Sequence, residues 1–344
     1  MNLQSKTDEA FMLRAIDLSK RGFPAPNPHV GCVITDGFRI LGKGWHDHAG
    51  GPHADIVALK EAGDSARGAT AYVTLEPCNH FGRTPPCTQA LLDAGIKRVV
   101  VACSDPNPVA AGGLALLQER GIETHLGLLE DLASKANEMW LTAMRERRPY
   151  IVIKAAVSLD GRIALSSGES QWITGSAARK ASHRLRAECG AVLVGRKTVE
   201  VDNPKLTARL RGVVNQPVRI VLDPSHRIGP DRNVLDVSAP TMHLFHNSFG
   251  LSAEGGQFDP VQICNVLFDR GIRGVLVEGG ATTIAGFVRA GLVDRIELFM
   301  APVLLGDGPS WMDRLQVLHL ADAPRFQVQS VKKLSGDLQV TLTR

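Results

Sequence analysis

The order of apolar and polar positions predicts alternating helices and strands in the first part of the chain. Apolar residues recur at helical spacing from Asp8 to Lys20, and short apolar runs bounded by turn residues indicate strands. Asp36-Gly37 is a hairpin signal between two such runs. The predicted strands are 30–34, 39–45, 70–75, 98–102 and 122–126, and the predicted helices are 8–20, 53–62, 87–94, 114–120 and 130–144. This alternation predicts a sheet covered by helices.

A second series of elements begins after the charged run 144–149, which ends in a helix-stopping proline. Its predicted strands are 150–157, 191–194, 218–222, 274–277 and 295–301, its helices are 177–188, 260–269 and 282–290, and a terminal hairpin covers 326–333 and 338–343. Because 344 residues exceed one typical domain, we expect two α/β domains, residues 1–147 and 148–344.

Charge and composition restrict the class of protein. The net charge of +4 suits an anionic small molecule, whereas a nucleic-acid partner would call for a strongly basic stripe. No apolar run approaches about 18 residues, which predicts no membrane span. The first residues carry acids and no apolar core, unlike a signal peptide. Six scattered cysteines then predict reduced thiols and a cytoplasmic location.

His53, Cys78 and Cys87 are the residues with the clearest chemistry. One imidazole and two thiols are ligands that Zn²⁺ prefers, and three protein ligands leave a position for water. Both cysteines follow prolines near predicted helix starts, where thiol pKa values fall. Asp55, two residues after the histidine, stands where zinc deaminases carry a proton-shuttling Glu. The alternative is a closed structural site completed by a fourth ligand, for which His80, His46 and His48 are candidates.

Three segments resemble the deaminase half of the bifunctional riboflavin-biosynthesis deaminase/reductase family. They are P26-N-P-H-V-G-C-V33, H53-A-D55 and T74-L-E-P-C-N-H-F-G-R-T-P-P-C87, whose T-P-P-C insertion differs from cytidine and tRNA adenosine deaminases. The resemblance implies a cytidine-deaminase-like α/β/α sandwich in which His53, Cys78 and Cys87 hold Zn²⁺. It places the catalytic acid/base at Asp55, where the family has Glu. The stretch 106–113 is one residue shorter than the family pattern and is expected to be a tolerant loop.

Two segments of the second part predict phosphate binding. Residues 275–286 read strand, glycine turn, helix, but they lack the G-x-G-x-x-G fingerprint, so a plain tight turn is the alternative. Gly195-Arg196-Lys197-Thr198 is similar to the G-R-x-T turn of dihydrofolate reductase, which holds the phosphate end of NADPH. Arg196 offers a planar fork for a 2′-phosphate; a solvated Arg-Lys pair is the alternative.

Further segments resemble the reductase half of the same family, which implies a dihydrofolate-reductase-like α/β domain. They are K154-A-A-V-S-L-D-G-R162, G168-E-S-Q-W-I-T-G175, D202-N-P-K-L-T-A-R209 and V277-E-G-G280. By resemblance, NADP contacts fall on Ala156, Trp172, Thr198, Asp202 and the stretch Gly280, Ala281, Thr282, Thr283, Ile284, Ala285 and Gly286. Substrate contacts fall on Ser170, Arg186, Leu206, Arg209 and Glu278. Arg186 and Arg209 are suited to a ribose 5-phosphate.

The resemblance therefore implies a cytoplasmic, homo-oligomeric enzyme with two activities. Zn²⁺-dependent deamination of 2,5-diamino-6-(5-phosphoribosylamino)pyrimidin-4(3H)-one would precede NADPH-dependent reduction of the ribosyl group to ribityl. One alternative keeps only the reductase, because Asp55 is one methylene shorter than Glu. Two further hypotheses are a nucleic-acid editing deaminase and a non-catalytic NADPH- or zinc-binding protein. The modest charge and the reductase-like half disfavour the editing enzyme, and two complete site patterns disfavour the binding protein.

Overall fold

A computed structural model describes residues 3–81 and 85–344, with side chains from residue 6 onward. The chain divides into two compact units, Met1–Glu146 and Arg147–Arg344. Among the described helices, none combines the length and the apolar character that crossing a membrane requires.

The first unit is an α/β/α sandwich around a sheet whose strands run in the order β2-β1-β3-β4-β5. β1 is antiparallel to β2 and β3, while β3, β4 and β5 are parallel. Its elements are α1 Leu3–Ser19, β1 Gly31–Thr35, β2 Ile40–Trp45, α2 Ala54–Ala62, β3 Thr70–Leu75, α3 Cys87–Asp93, β4 Arg98–Cys103, α4 Gly113–Glu119, β5 Glu123–Leu126, α5 Glu130–Ala136 and α6 Glu138–Glu146.

Alternating residues of the central strands fill two cores in this unit. Val73 and Val101 pack with helices α2 to α4, whereas Tyr72 and Val100 pack with α1 and α5 on the other face. Strands with both faces buried read as continuous apolar runs, which is why β3 and β4 are evident in the sequence. The predicted sandwich is confirmed.

Asn137 interrupts the helix predicted over 130–144. Its backbone (φ −119°) leaves the helical region between α5 and α6, and its side-chain Oδ1 accepts a hydrogen bond from His29 N at 3.1 Å. Asn competes with helical hydrogen bonding through its own amide, so it favours such a break. The single long helix was therefore wrong.

The second unit is built on a larger sheet with strand order β14-β15-β13-β6-β12-β7-β8-β9. The strands from β13 to β9 are parallel, and the β14–β15 hairpin joins them antiparallel at one edge. The elements are β6 Tyr150–Ser158, α7 Ser176–Cys189, β7 Ala191–Gly195, α8 Arg196–Asp202, β8 Val218–Leu222, β9 Thr241–Leu244, β10 Ala253–Glu254, β11 Gln257–Phe258, α9 Pro260–Asp269, β12 Gly274–Val277, α10 Ala281–Arg289, β13 Arg295–Ala301, β14 Gln327–Leu334 and β15 Asp337–Thr343.

Apolar residues again cover both faces of this sheet. Leu193 packs with α9 and α10, while its neighbours Val192 and Val194 pack with α8 on the other face. The sequence did not predict β9, the short β10–β11 hairpin or α8. α8 begins at Arg196, within the predicted G-R-x-T turn, and ends at Asp202, followed by its C-cap Asn203 in the left-handed region (φ 40°).

Arg219 is a fully buried guanidinium in β8. It donates to Thr241 Oγ1 at 2.8 Å, to Asp236 Oδ1 at 2.8 Å and to the carbonyl oxygens of Asn233 and Ala239 at 3.0 and 2.5 Å. A buried charge requires such complete pairing. Arg219 thereby fixes the long connection from β8 to β9.

Candidate metal centre and cofactor edge

Three separate segments of the first unit bring the candidate metal ligands together. His53 is the N-terminal cap of α2, and Cys87 is the first residue of α3. Cys78 lies in the loop that follows β3. The T-P-P-C insertion begins at Thr84, and residues 82–84 lie outside the described residues.

The ligand atoms of His53, Cys78 and Cys87 all lie within 4.8 Å of one another. His53 Nδ1 is 3.2 Å from Cys87 Sγ and 3.6 Å from Cys78 Sγ, and the backbone N–H of Cys87 donates to Cys78 Sγ at 3.4 Å. One imidazole nitrogen and two sulfurs converging on one point are the donor set of a three-ligand zinc site. The residues therefore fit the ion that the sequence predicted.

The thiols and the imidazole shift one another's protonation. The pKa of Cys78 falls to about 4. The largest cause is a hydrogen bond from the Cys87 thiol to the Cys78 sulfur, followed by hydrogen bonds from His53 and from the Cys87 backbone N–H. The same hydrogen bond raises the pKa of Cys87, and the hydrogen bond with Cys78 raises that of His53. Of the two cysteines, Cys78 is the one held as a thiolate, because it receives the hydrogen bonds. Metal ligation would deprotonate both.

Asp55 lies in the first turn of α2, two residues after the histidine ligand, and it is buried. Its Oδ1 has no hydrogen-bond partner among the described residues. Burial, followed by the charge of Cys78, raises its pKa to about 6. A buried carboxyl oxygen without a protein partner is available to a bound molecule beside the metal ligands.

His46 lies beside His53, and Asn27 hydrogen-bonds to His46; the sequence offered His46 only as a possible fourth ligand and did not assign Asn27 to the site. His46 Nδ1 is 3.0 Å from Pro52 O, and its Nε2 is 3.0 Å from the Asn27 amide nitrogen. Burial, followed by the charge of His53, lowers the pKa of His46, which suits a neutral ring that donates through Nδ1 and accepts through Nε2. The P26-N-P-H segment contained the signal for Asn27.

The candidates for a fourth protein ligand do not join the metal group. Both ring nitrogens of His46 have partners, and His48 Nδ1 is 3.2 Å from Asp47 Oδ2. Within residues 3–81 and 85–344, the three-residue group gains no further His, Cys, Asp or Glu. This geometry favours an open site over a closed structural one.

In the second unit, predicted site residues follow the carboxyl ends of neighbouring parallel strands. Ala156 lies near the end of β6, Glu278 follows β12, and Arg196 follows β7. Ligands of open parallel sheets bind at this edge. We call it the cofactor edge.

Glycines let the backbone of β7 and that of the β12 turn approach α10 closely. A Cβ on Gly279 would lie 2.8 Å from Thr283 Cβ, and one on Gly195 would lie 3.0 Å from Thr283 Oγ1. Gly280 caps α10, and the N–H groups of Ala281 and Thr282 lie in its first turn, whereas the Thr283 N–H donates to Gly280 O at 3.0 Å. Ile284 and Ala285 are core residues of the same helix, and Gly286 follows them.

Arg186 and Glu278 form a buried bidentate ion pair. Arg186 Nε and Nη2 donate to the two carboxylate oxygens at 2.6 and 2.8 Å, and Nη1 donates to Thr207 O at 3.1 Å. Burial opposes the charge of Glu278, but Arg186 and then Lys154 outweigh it and lower its pKa to about 2. The Arg186 guanidinium is thus already engaged, which leaves it less available to a phosphate than the sequence suggested.

Lys154, on β6, is a further charged group of this cluster that was not among the predicted site residues. Burial lowers its pKa, Glu278 opposes that effect, and Arg186 adds to it. The motif K154-A-A-V, which resembles the reductase family, was the sequence feature that could have pointed to Lys154. Lys154 interacts with both members of the ion pair, which makes it part of the same cluster.

The other predicted residues are arranged more loosely. Leu206 is buried and has a positive φ (53°). The backbone N–H of Arg209 donates to His183 Nδ1 at 3.3 Å, and Arg209 itself is exposed. Trp172 is 69% exposed beneath the Arg179 guanidinium. Asp202 is exposed, and Ser170 and Thr198 are half-buried.

Arg196 has acidic neighbours. Its Nη1 lies 2.6 Å from Glu200 Oε1 and its Nε lies 3.8 Å from Asp223 Oδ1. Asp223 Oδ2 in turn accepts from Ile228 N at 2.9 Å and lies 3.0 Å from His243 Nε2. A 2′-phosphate at Arg196 would compete with these carboxylates for the guanidinium.

Two family models match the chain. One, described as "Cytidine and deoxycytidylate deaminase zinc-binding region", covers residues 5–103, and the other, "RibD C-terminal domain", covers residues 149–340. Each match contains one of the two groups of site residues.

Relatives match along nearly the whole chain. "Riboflavin biosynthesis protein RibD" of Aquifex aeolicus is 42% identical, covering 98% of both chains, and that of Escherichia coli strain K12 is 41% identical, covering 96% of this chain and 98% of its own. The solved structure "Acinetobacter baumannii RibD, form 2" has a TM-score of 0.90 at 41% identity, covering 98% of this chain and 99% of its own. The Thermotoga maritima diaminohydroxyphosphoribosylaminopyrimidine deaminase/5-amino-6-(5-phosphoribosylamino)uracil reductase has a TM-score of 0.86 at 36% identity, with the same coverage. This chain therefore belongs to the RibD family of riboflavin-biosynthesis enzymes, which join a zinc-binding deaminase domain to a reductase domain.

Proposed function

We propose that this enzyme catalyses two consecutive steps of riboflavin biosynthesis. Residues 1–147 would deaminate 2,5-diamino-6-(5-phosphoribosylamino)pyrimidin-4(3H)-one, and residues 148–344 would reduce the ribosyl group of the product with NADPH. The observation that carries the proposal is the convergence of His53, Cys78 and Cys87 beside a buried carboxyl oxygen that has no hydrogen-bond partner among the described residues. No observation favours the alternative of a reductase alone.

In the deaminase step the chain's own residues hold the ion and move protons. His53, Cys78 and Cys87 would bind Zn²⁺, which activates a water molecule for attack on the ring carbon. Asp55 would carry two protons in turn, one from the attacking water to the ring nitrogen and one from the new hydroxyl group to the departing amine, so that the C–N bond breaks, a carbonyl forms and ammonia leaves. His46 packs edge-on against the His53 ring and hydrogen-bonds to Asn27, so these two residues support the imidazole ligand.

In the reductase step a hydride from bound NADPH would go to the ribosyl carbon, and a proton must reach the sugar oxygen. Arg186 is too weak an acid to give one, and Glu278 has lost its proton because its pKa is lowered. The Lys154 ammonium is the acidic group that this cluster offers, and burial lowers its pKa. Lys154 is therefore our candidate proton donor, with Arg209 as the exposed cation for the 5-phosphate.

The test uses purified full-length protein loaded with one equivalent of Zn²⁺. Incubation with the diamino substrate should release ammonia, and addition of NADPH should then produce stoichiometric NADPH oxidation. A different result would support the reductase alone. In that case the protein would release no ammonia from the diamino substrate but would oxidise NADPH when it is given the uracil intermediate.

Asp55→Glu tests the role of the shorter acid. Deamination should hold or rise, because the longer side chain still reaches the attacking water, while Asp55→Asn should lower the rate by about 100-fold or more. The measurement is the rate of ammonia release at saturating substrate. A sharp drop in Asp55→Glu would mean that the site is built around Asp.

We also propose a cytoplasmic homo-oligomer. The six cysteines, all within the described residues, form no disulfide. Strand β14 lies at the sheet edge and exposes Val328 and Val331 by 62% and 58%, and apolar edge strands favour pairing with another chain. Light scattering on Val331→Lys should give a smaller particle mass than for wild type. An unchanged mass would show that β14 is not the interface.

A further inference from the structure

Glu76 connects strand β3 to the loop that carries the ligand Cys78. Each of its carboxylate oxygens accepts backbone hydrogen bonds. Oε1 accepts from Gly112 N at 3.2 Å and Leu114 N at 3.1 Å, and Oε2 accepts from Asp105 N at 3.2 Å. One side chain therefore holds both ends of residues 105–114, which we call the clamp segment, next to residues 77–79, the ligand loop.

The clamp segment contacts the ligand loop directly on both sides of the metal-binding cysteine. Asn79 N donates to Ala110 O at 3.2 Å. A Cβ on Gly113 would lie 1.9 Å from Pro77 O, so the two backbones touch there and only glycine fits. The shortened stretch 106–113, expected from the sequence to be a tolerant loop, is therefore packed against the candidate metal centre.

Helix α3 holds the ligand loop on its other side. Thr88 N and Thr88 Oγ1 donate to Cys78 O at 3.3 and 3.4 Å, and Cys87 N donates to Cys78 Sγ at 3.4 Å. With α3 alone, the loop would be fixed on one side and free to move on the other. The clamp segment supplies the second fixed side, and Glu76 fixes the clamp segment.

We infer that Glu76 is a positioning residue for the metal centre, acting through the clamp segment on the place of Cys78 Sγ. Its carboxylate is not among the residues that could hold the ion, and its three N–H donors occupy both oxygens. Groups that orient metal ligands change metal affinity about 10- to 100-fold when they are altered. The inference rests on the proposed zinc site.

Glu76→Gln in the full-length protein tests this role, because an amide nitrogen would face backbone N–H donors in place of an acceptor oxygen. Zinc affinity, measured by competition with a chromophoric chelator, should fall about 10- to 100-fold. The cobalt–thiolate absorption bands of the Co²⁺-substituted protein should shift. Glu61→Gln is the matched control, because Glu61 accepts from the backbone N–H of Lys43 at 3.2 Å and lies near the far end of α2. It should bind zinc like wild type, and reductase activity should be unchanged in both variants.

Gly113→Ala tests the same coupling from the opposite side and leaves the carboxylate in place. If Glu76→Gln folds, weaker zinc binding in both variants supports the inference, and unchanged zinc affinity and cobalt bands in Glu76→Gln overturn it. If Glu76→Gln does not fold, Gly113→Ala decides: weaker zinc binding supports the inference, and unchanged binding overturns it. Wild-type protein that binds no zinc at all would overturn the proposed metal site itself, and the positioning role with it.

Discussion

Glu278→Gln should destabilise the second unit by removing the negative member of a buried cluster. The side chains of Arg186 and Glu278 are only 13% and 10% exposed, and Lys154 adds a second positive group beside them. Glutamine keeps the shape but leaves the positive groups without a counter-charge. Removing one partner of a buried ion pair costs about 3–5 kcal/mol.

The pKa of Glu278 gives a second measure of the same interaction. A fall from the usual 4.5 to about 2 corresponds to roughly 3 kcal/mol of stabilisation of the charged form. Because this pKa is lowered on folding, the stabilisation is fully present above pH 4.5 and is lost as the pH falls toward about 2. The difference between wild type and Glu278→Gln should therefore be constant from about pH 5 to 8 and should shrink in more acidic buffer.

Hydrogen exchange measured by mass spectrometry on the full chain is the suitable assay, because it reports the opening free energy of each unit separately. Peptides from β6 and β12 should lose about 3 kcal/mol of protection, while peptides from β3 and β4 serve as the internal reference. Glu188→Gln is the matched control, since the Arg184–Glu188 pair lies on the surface of α7 with Arg184 61% exposed. It should cost less than about 1 kcal/mol. A loss in Glu278→Gln no larger than in this control would refute the reasoning.

Cys87→Ser should abolish stoichiometric zinc and ammonia release but leave NADPH oxidation unchanged, as checked by elemental analysis and both assays; loss of both activities would contradict independent sites. Arg219→Met should lower the stability of the second unit by about 1–3 kcal/mol, measured by hydrogen exchange, because the carbonyl groups of Asn233 and Ala239 lose their donor. Arg196→Gln should raise KM for NADPH about tenfold and leave that for NADH unchanged, since only NADPH has the 2′-phosphate. An equal effect on both cofactors would remove Arg196 from that role.

Strands that are buried on both faces could be predicted from sequence because their signal is local. β3, predicted over 70–75, is found at Thr70–Leu75, and β12 likewise matches its predicted bounds. The half-exposed β9 carries no such continuous apolar run and was missed. Asn137 shows a different limit, because the hydrogen bond that accompanies the helix break comes from residue 29, far away in the chain.

The candidate metal centre was predictable because its ligands carry distinctive chemistry in fixed motifs. The groups around them were harder to find, since Glu76 and His46 act through backbone partners that no sequence pattern displays. Arg186 illustrates the same limit in the second unit. Its position suggested a phosphate ligand, but its pairing with Glu278 became apparent only once helix α7 lay against the sheet.

The interruption at Asn137 has a consequence for engineering. Replacing it with alanine would favour one continuous rod by local propensity, by up to about 0.7 kcal/mol. The same change would remove the hydrogen bond to His29, whose segment also carries Asn27, the partner of His46. A substitution that improves the helix locally would thus loosen a segment next to the candidate metal centre, so stability gained here is expected to cost order there.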